Sequence, residues 1–181
     1  MHHSTFVHRH FRQGYVHIYT GNGKGKTTAA LGLALRAAGA SLKVYFGQFL
    51  KKGDFSEIKA LRRFPEITVR QFGCGRFVKC HPTAAEIAAA RCGLASLRKA
   101  MLSKAYTLII ADEANCAVTC GLISVDDLLQ LIAEKPAPVE LVFTGRGAHP
   151  RLIKQADMVS VIQARKHPFN DGVKCRKGID W

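Results

Sequence analysis

Eight consecutive residues carry the most specific chemistry in this sequence: Gly21, Asn22, Gly23, Lys24, Gly25, Lys26, Thr27 and Thr28. Glycines let a backbone curl until successive N–H groups converge on one anion. Lys26 adds a point charge for the outer phosphates of a nucleoside triphosphate, and the Thr27 hydroxyl is suited to ligate Mg²⁺. A second constellation is the apolar run Leu108, Ile109, Ile110 and Ala111, closed by Asp112 and Glu113. A carboxylate at such a strand end holds Mg²⁺ directly or through water. Glu113 is expected to reach the ion better, with Asp112 as support. A charged turn is the plain alternative for the acidic pair, and the phosphate loop beside it favours the functional reading.

The loop departs from the usual pattern G-x-x-x-x-G-K-[ST]. That pattern wants glycine at position 20, where Thr20 stands, and only three residues separate Gly21 from Gly25. A variant phosphate geometry is therefore expected.

Both motifs need elements to position them. Residues 15–20 are short, apolar and partly β-branched, and read as a buried strand ahead of the glycines. Residues 27–38 are rich in Ala and Leu and are followed by Gly39, which reads as a helix with its C-terminal signal. Further strands are expected at 43–49, 67–72, 107–111, 141–144 and 158–163. Helices are expected at 56–64, at about 83–104, at 124–134 and at 150–156. Thr83 with Glu86, and Ser124 with Asp127, have the spacing of N-terminal capping pairs. Residues 166–181 show no period. Alternating strands and helices predict an α/β fold: a mostly parallel sheet with helices on both faces. Ligands of such sheets sit at the carboxyl ends of the strands. The glycine loop and the acidic pair both fall there.

The 181 residues fit one domain, read as residues 15–181 behind a flexible arm, 1–14. The net charge of +14 suits an anionic partner, nucleotide phosphate or nucleic acid. The positive charge is spread along the chain, which argues against a dedicated basic tail. No apolar stretch reaches the roughly 18 residues of a membrane helix, and the first residues do not read as a signal peptide. His2, His3, His8 and His10 lack metal-ligand spacing. Six cysteines without a C-x-x-C pair suit free thiols in a reducing cytosol. Cys80 with His81, and Cys116 with Cys120, are weak zinc candidates.

The stretch from Thr20 to Ala30 resembles the phosphate loop of ATP:corrinoid adenosyltransferases of the P-loop class, also called cob(I)yrinic acid a,c-diamide adenosyltransferases. Further matching segments follow in order: Gln48-Phe49-Leu50-Lys51, Asp112-Glu113, Thr144-Gly145-Arg146, Lys166-His167-Pro168-Phe169 and Gly178-Ile179-Asp180-Trp181. The resemblance implies a P-loop NTPase-like (RecA-like) fold. It also implies transfer of the 5′-deoxyadenosyl group of ATP to cobalt(I) of a reduced corrinoid, with release of triphosphate, in adenosylcobalamin biosynthesis or salvage. The nucleotide is then expected to lie reversed relative to ordinary P-loop enzymes, which exposes its 5′ carbon. Residues 21–28 and Arg146 would bind ATP. Lys26 and Glu113 would act in catalysis, and Thr27, Asp112 and Glu113 would hold Mg²⁺. An aromatic after the third strand would crowd the lower corrinoid face. Phe77 is the candidate and Phe72 the alternative, with Arg76 beside them. Lys166 and His167 are candidates to close over the site. A reduced flavin or flavodoxin-like electron donor, a homodimer and a cytoplasmic location are family expectations. The rivals are a small-molecule kinase, for which no lid segment is visible, and a RecA-like DNA-dependent ATPase. The basic residues form no stripe that would favour specific nucleic-acid binding.

Overall fold

The computed structural model describes residues 12–75 and 82–180. Six strands form one sheet: β1 (Val16–Thr20), β2 (Val44–Phe49), β3 (Ile67–Phe72), β4 (Leu108–Asp112), β5 (Glu140–Thr144) and β6 (Met158–Val161). Their order in space is β3-β2-β4-β5-β1-β6, and every pairing is parallel. The helices are α1 (Lys26–Gly39), α2 (Ser56–Leu61), α3 (Ala84–Leu102), α4 (Ala114–Thr119), α5 (Val125–Glu134) and α6 (Pro150–Gln155).

Parallel strands need crossover connections, so both faces of such a sheet are covered and its strands are apolar throughout. On one face Ala30 and Ala34 of α1 and Ile58 and Leu61 of α2 cover Phe46, Ile110 and Val142. On the other, Leu97 and Met101 of α3, Ala117 of α4 and Leu128 of α5 cover Ile18, Tyr45, Ile109 and Phe143. Neighbours in one strand, such as Ile109 and Ile110, thus enter opposite layers, as strand alternation requires. Both capping pairs form as their spacing predicts: Thr83 and Ser124 each cap a helix reciprocally with Glu86 and Asp127. Lys135 ties together the segments entering β1 and β5 by donating to the carbonyls of Gly14 at 2.7 Å and Val139 at 2.9 Å.

The α/β architecture expected from the sequence is the one observed, and three local features differ. Helix α4 begins directly after the acidic pair, where no helix was expected; its six residues are too few to show a period. Strand β6 stops at Val161, two residues early, because the next residues turn to pack on the glycine loop. The aperiodic tail contains a 3₁₀ turn, Pro168–Asp171. Among the corrinoid candidates, Arg76 and Phe77 lie outside the described residues. So do the four N-terminal histidines, Cys80, His81 and Trp181.

Phe72 is part of the core's margin. Its ring centroid lies 6.0 Å from that of Phe49. A Cβ added to Gly93 of α3 would sit 2.7 Å from its Cγ. Glycine at 93 therefore lets α3 approach the Phe72 ring. We expect Gly93→Ala to destabilise the protein by about 1–3 kcal/mol through overpacking, measured by urea denaturation. An unchanged midpoint would show that the Phe72 ring is free to move.

Candidate functional site

The glycine loop is shaped by its neighbours. Thr20 pairs in register with Val161, so the position where the usual motif has glycine is still strand here. Its side-chain oxygen accepts the Ala148 N–H at 3.2 Å. Gly21 has φ 98°. A Cβ there would lie 2.3 Å from the Ile162 oxygen, and one on Gly23 would lie 2.7 Å from the Gln163 carbonyl carbon. The Gly23 N–H donates to that same Ile162 oxygen at 2.8 Å. Only glycine fits where two backbones touch. Asn22 is held too, since its Oδ1 accepts the Ala164 N–H at 3.2 Å. Gly25, at φ 120°, is the N-cap of α1, and no acidic residue neutralises the first turn. That helix end is favourable for an anion.

The two loop lysines point in different directions. Lys26 curls over the loop and donates to the Gly23 carbonyl at 2.6 Å. Lys24 turns to the tail and pairs with Asp180. Asp180 is held in turn by the Arg176 N–H at 2.8 Å and Nε at 3.2 Å. These contacts, Lys24 first, hold its carboxyl well below the usual range. Lys24, Lys166, His167, Phe169 and Asp180 border a cavity of about 240 Å³, so the Lys166-His167 segment does lie beside the loop. Thr28 is exposed in the first turn of α1.

Asp112 has no solvent exposure. Its Oδ1 accepts the hydroxyls of Thr27 at 2.9 Å and Thr144 at 2.6 Å, and its Oδ2 accepts Gln48 Nε2 at 3.0 Å. Gln71 Nε2 donates onward to Gln48 Oε1 at 2.9 Å. Glu113 is half-buried and follows with φ 60°. Its N–H donates to Thr144 Oγ1 at 2.9 Å, and its carboxylate lies 3.3 Å from Lys51 Nζ. The structure thus joins Thr27 to Asp112, with Glu113 next to it in the chain. It adds Gln48, Lys51, Gln71 and Thr144, which sequence reasoning did not assign. A sequence signal existed for two of them, Gln48 and Thr144: a polar residue within or closing a buried, mostly apolar strand is a candidate for the site.

Burial raises the Asp112 pKa, because a desolvated carboxylate favours its neutral form; Lys51, Thr144 and Gln48 act against this. Burial also acts against the charge of Lys51, but Asp112 and Glu113 outweigh it and its pKa is raised. Lys26 is lowered, first by burial and then by Arg146, so the exposed Arg146 stands within electrostatic reach of the loop. Cys116 is pushed up to about 12, by burial and then by Glu113, which leaves it a poor thiolate. Among the described residues no three His, Cys, Asp or Glu gather in a metal-binding group. The hydroxyl and carboxylates present are hard oxygen donors that fit Mg²⁺, whose remaining ligands would be phosphate and water.

Fold and loop together define a P-loop nucleotide-binding protein of the α/β class. Residues 12–181 match the family described as "ATP:corrinoid adenosyltransferase BtuR/CobO/CobP". The chain is 33% identical to the corrinoid adenosyltransferase of Pseudomonas aeruginosa, over 93% of this chain and 84% of that one. It is 30% identical to that of Escherichia coli (strain K12), over 93% and 86%. It is 28% identical to that of Salmonella typhimurium, with the same coverage, 93% and 86%. The chain belongs to the ATP:corrinoid adenosyltransferase family, and its enzyme class is adenosyl transfer to a corrinoid. Among the described residues no helix is long and apolar enough to cross a membrane.

The raised Asp112 pKa has a sign. A folded-state carboxyl that holds its proton more tightly than the unfolded one stabilises fully below the ordinary value. That stability is lost as pH rises through the folded pKa. We expect the melting temperature of Asp112→Asn, minus that of the parent, to increase as pH rises from about 4 to about 7. A difference that stays flat would mean that burial does not penalise this carboxylate.

Proposed function

We propose that the protein transfers the 5′-deoxyadenosyl group of ATP to cobalt(I) of a reduced corrinoid and releases triphosphate. The observation that carries the reading is the Thr27–Asp112 hydrogen bond, which fixes the phosphate loop against the acidic pair in a chain of this family. Cobalt(I) donates an electron pair to C5′. The C5′–O bond breaks, and its pair leaves on the triphosphate. The nucleophile belongs to the corrinoid, so no protein base is required. The protein holds the reactants in line and stabilises a highly charged leaving group.

Loop N–H groups, Lys26 and Arg146 serve the phosphates in this reading. Thr27 and Glu113 would hold Mg²⁺, and Asp112 would support them through Thr27 or a water, because its oxygens already accept three hydrogen bonds. Bound Mg²⁺ supplies neutralisation of phosphate charge. Phe77, with Arg76 beside it, serves the corrinoid. Phe72 is the weaker choice, since its ring packs on Phe49 and Gly93. A reduced flavin or flavodoxin-like donor, a homodimer, a cytoplasmic site of action and a place in adenosylcobalamin biosynthesis or salvage complete the proposal.

Incubation with ATP, Mg²⁺ and chemically reduced cobalamin under anoxia is expected to give the adenosylcorrinoid spectrum and one triphosphate per product. ADP formation independent of corrinoid, with no adenosylcorrinoid, would overturn the reading. Lys26→Ala should weaken triphosphate binding by about 10- to 100-fold, the worth of one charge-assisted contact, with an unchanged melting profile. Normal turnover in that variant would remove Lys26 from the phosphate site.

A further inference from the structure

The chain leaving β2 forms a third wall of the site, beside the phosphate loop and the acidic pair. Leu50, a bulky residue, has φ 64°, and this turn of the backbone brings Lys51 back toward Glu113. Such a conformation persists only where the surroundings impose it, and it clusters at functional sites. Two contacts impose it here. A Cβ on Gly73 would lie 2.5 Å from the Leu50 carbonyl carbon and 2.6 Å from that of Lys51, so the backbones beyond β2 and β3 touch. The Gly53 N–H also donates to Gln71 Oε1 at 3.3 Å.

Gln71 belongs to a polar row. Gln71, Gln48 and Asp112 are register partners on adjacent strands β3, β2 and β4, and are joined side chain to side chain. The loop bearing Lys51 is thus tied to the acidic pair twice, through Glu113 and through this row. Glu113 lies within electrostatic reach of both Lys26 and Lys51. Glu113 thus pairs with Lys51 and acts electrostatically on Lys26 of the other loop. An ion pair made only for stability does not need the turn at Leu50.

We propose that Lys51 is a further triphosphate-binding residue, a second lysine acting with Lys26, and that Gln71 is the residue that positions its loop. The proposal rests on the adenosyl-transfer reading. It adds to the charge that the leaving group meets as the C5′–O bond breaks. Lys51 carries no proton in the step, and its ammonium stays charged throughout.

The test compares Lys51→Met, Lys51→Arg, Gln71→Leu and the exposed neighbour Lys52→Met in the full chain. Calorimetric titration with inorganic tripolyphosphate and Mg²⁺ reads binding without corrinoid, and melting curves read the fold. Lys51→Met is expected to bind tripolyphosphate about tenfold more weakly and to lose about 100-fold in kcat, the scale of one lost transition-state donor. Lys51→Arg should retain most of both. Gln71→Leu should weaken tripolyphosphate binding by a smaller factor without a matching drop in melting temperature. Lys52→Met should bind as the parent does. Parental affinity in Lys51→Met, or an equal loss in Lys52→Met, would overturn the proposal. A parent protein that binds tripolyphosphate and makes no adenosylcorrinoid would instead overturn the reading beneath it.

Discussion

The site depends on one buried carboxylate. Asp112 has no contact with solvent, and a desolvated charge is tolerated only where hydrogen bonds replace the lost water. Here the replacements are neutral dipoles from three elements: α1 through Thr27, β5 through Thr144 and β2 through Gln48. Each donor is held by the need of the same two oxygens. The start of α1, and with it the phosphate loop, is therefore fixed against the sheet before any ligand arrives.

The arrangement costs stability elsewhere. Leu50 and Glu113 both hold positive φ, at roughly 1–3 kcal/mol each. Asn115, in the first turn of α4, is buried with an Oδ1 that has no hydrogen-bond partner among the described residues. These three lie at one corner, between the ends of β2 and β4, while Ser41 and Lys104, also at positive φ, lie in the turns ahead of those strands. The layers beneath are conventional: aliphatic strands under Ala- and Leu-bearing helices. Packing of that kind supplies the surplus that lets a few residues be strained.

The fold was legible because its signals are periodic or local. Apolar strands alternate with helices whose starts are marked by Thr83 and Ser124, and this pattern fixes a parallel sheet with both faces covered. The two motifs fell at strand ends because carboxyl-end loops are where such sheets place ligands. What was not legible is lateral. Gln71, Gln48 and Asp112 are far apart in the chain and become neighbours only through strand order and register, which no single segment encodes. Thr144 and Lys51 were visible inside matching segments, yet their meaning lies in which side chain stands opposite. Helix α4 escaped for a different reason: six residues cannot show a helical period.

The shortened loop is the clearest case of a local motif with a non-local cause. Read alone, Thr20 looks like a lost glycine. In the fold it is the last residue of a strand, paired with Val161, and the curl begins one residue later. Gly21 and Gly23 then lie flat against the backbone of Ile162 and Gln163. The wall that shapes the loop is thus the segment leaving β6. The same segment continues into the tail, which returns to place Asp180 on Lys24. A longer loop would have to lift off this wall, and Lys24 would then lose its partner. The loop, the end of β6 and the tail therefore form one unit, held by the backbone contacts at Gly21 and Gly23 and by the Lys24–Asp180 pair.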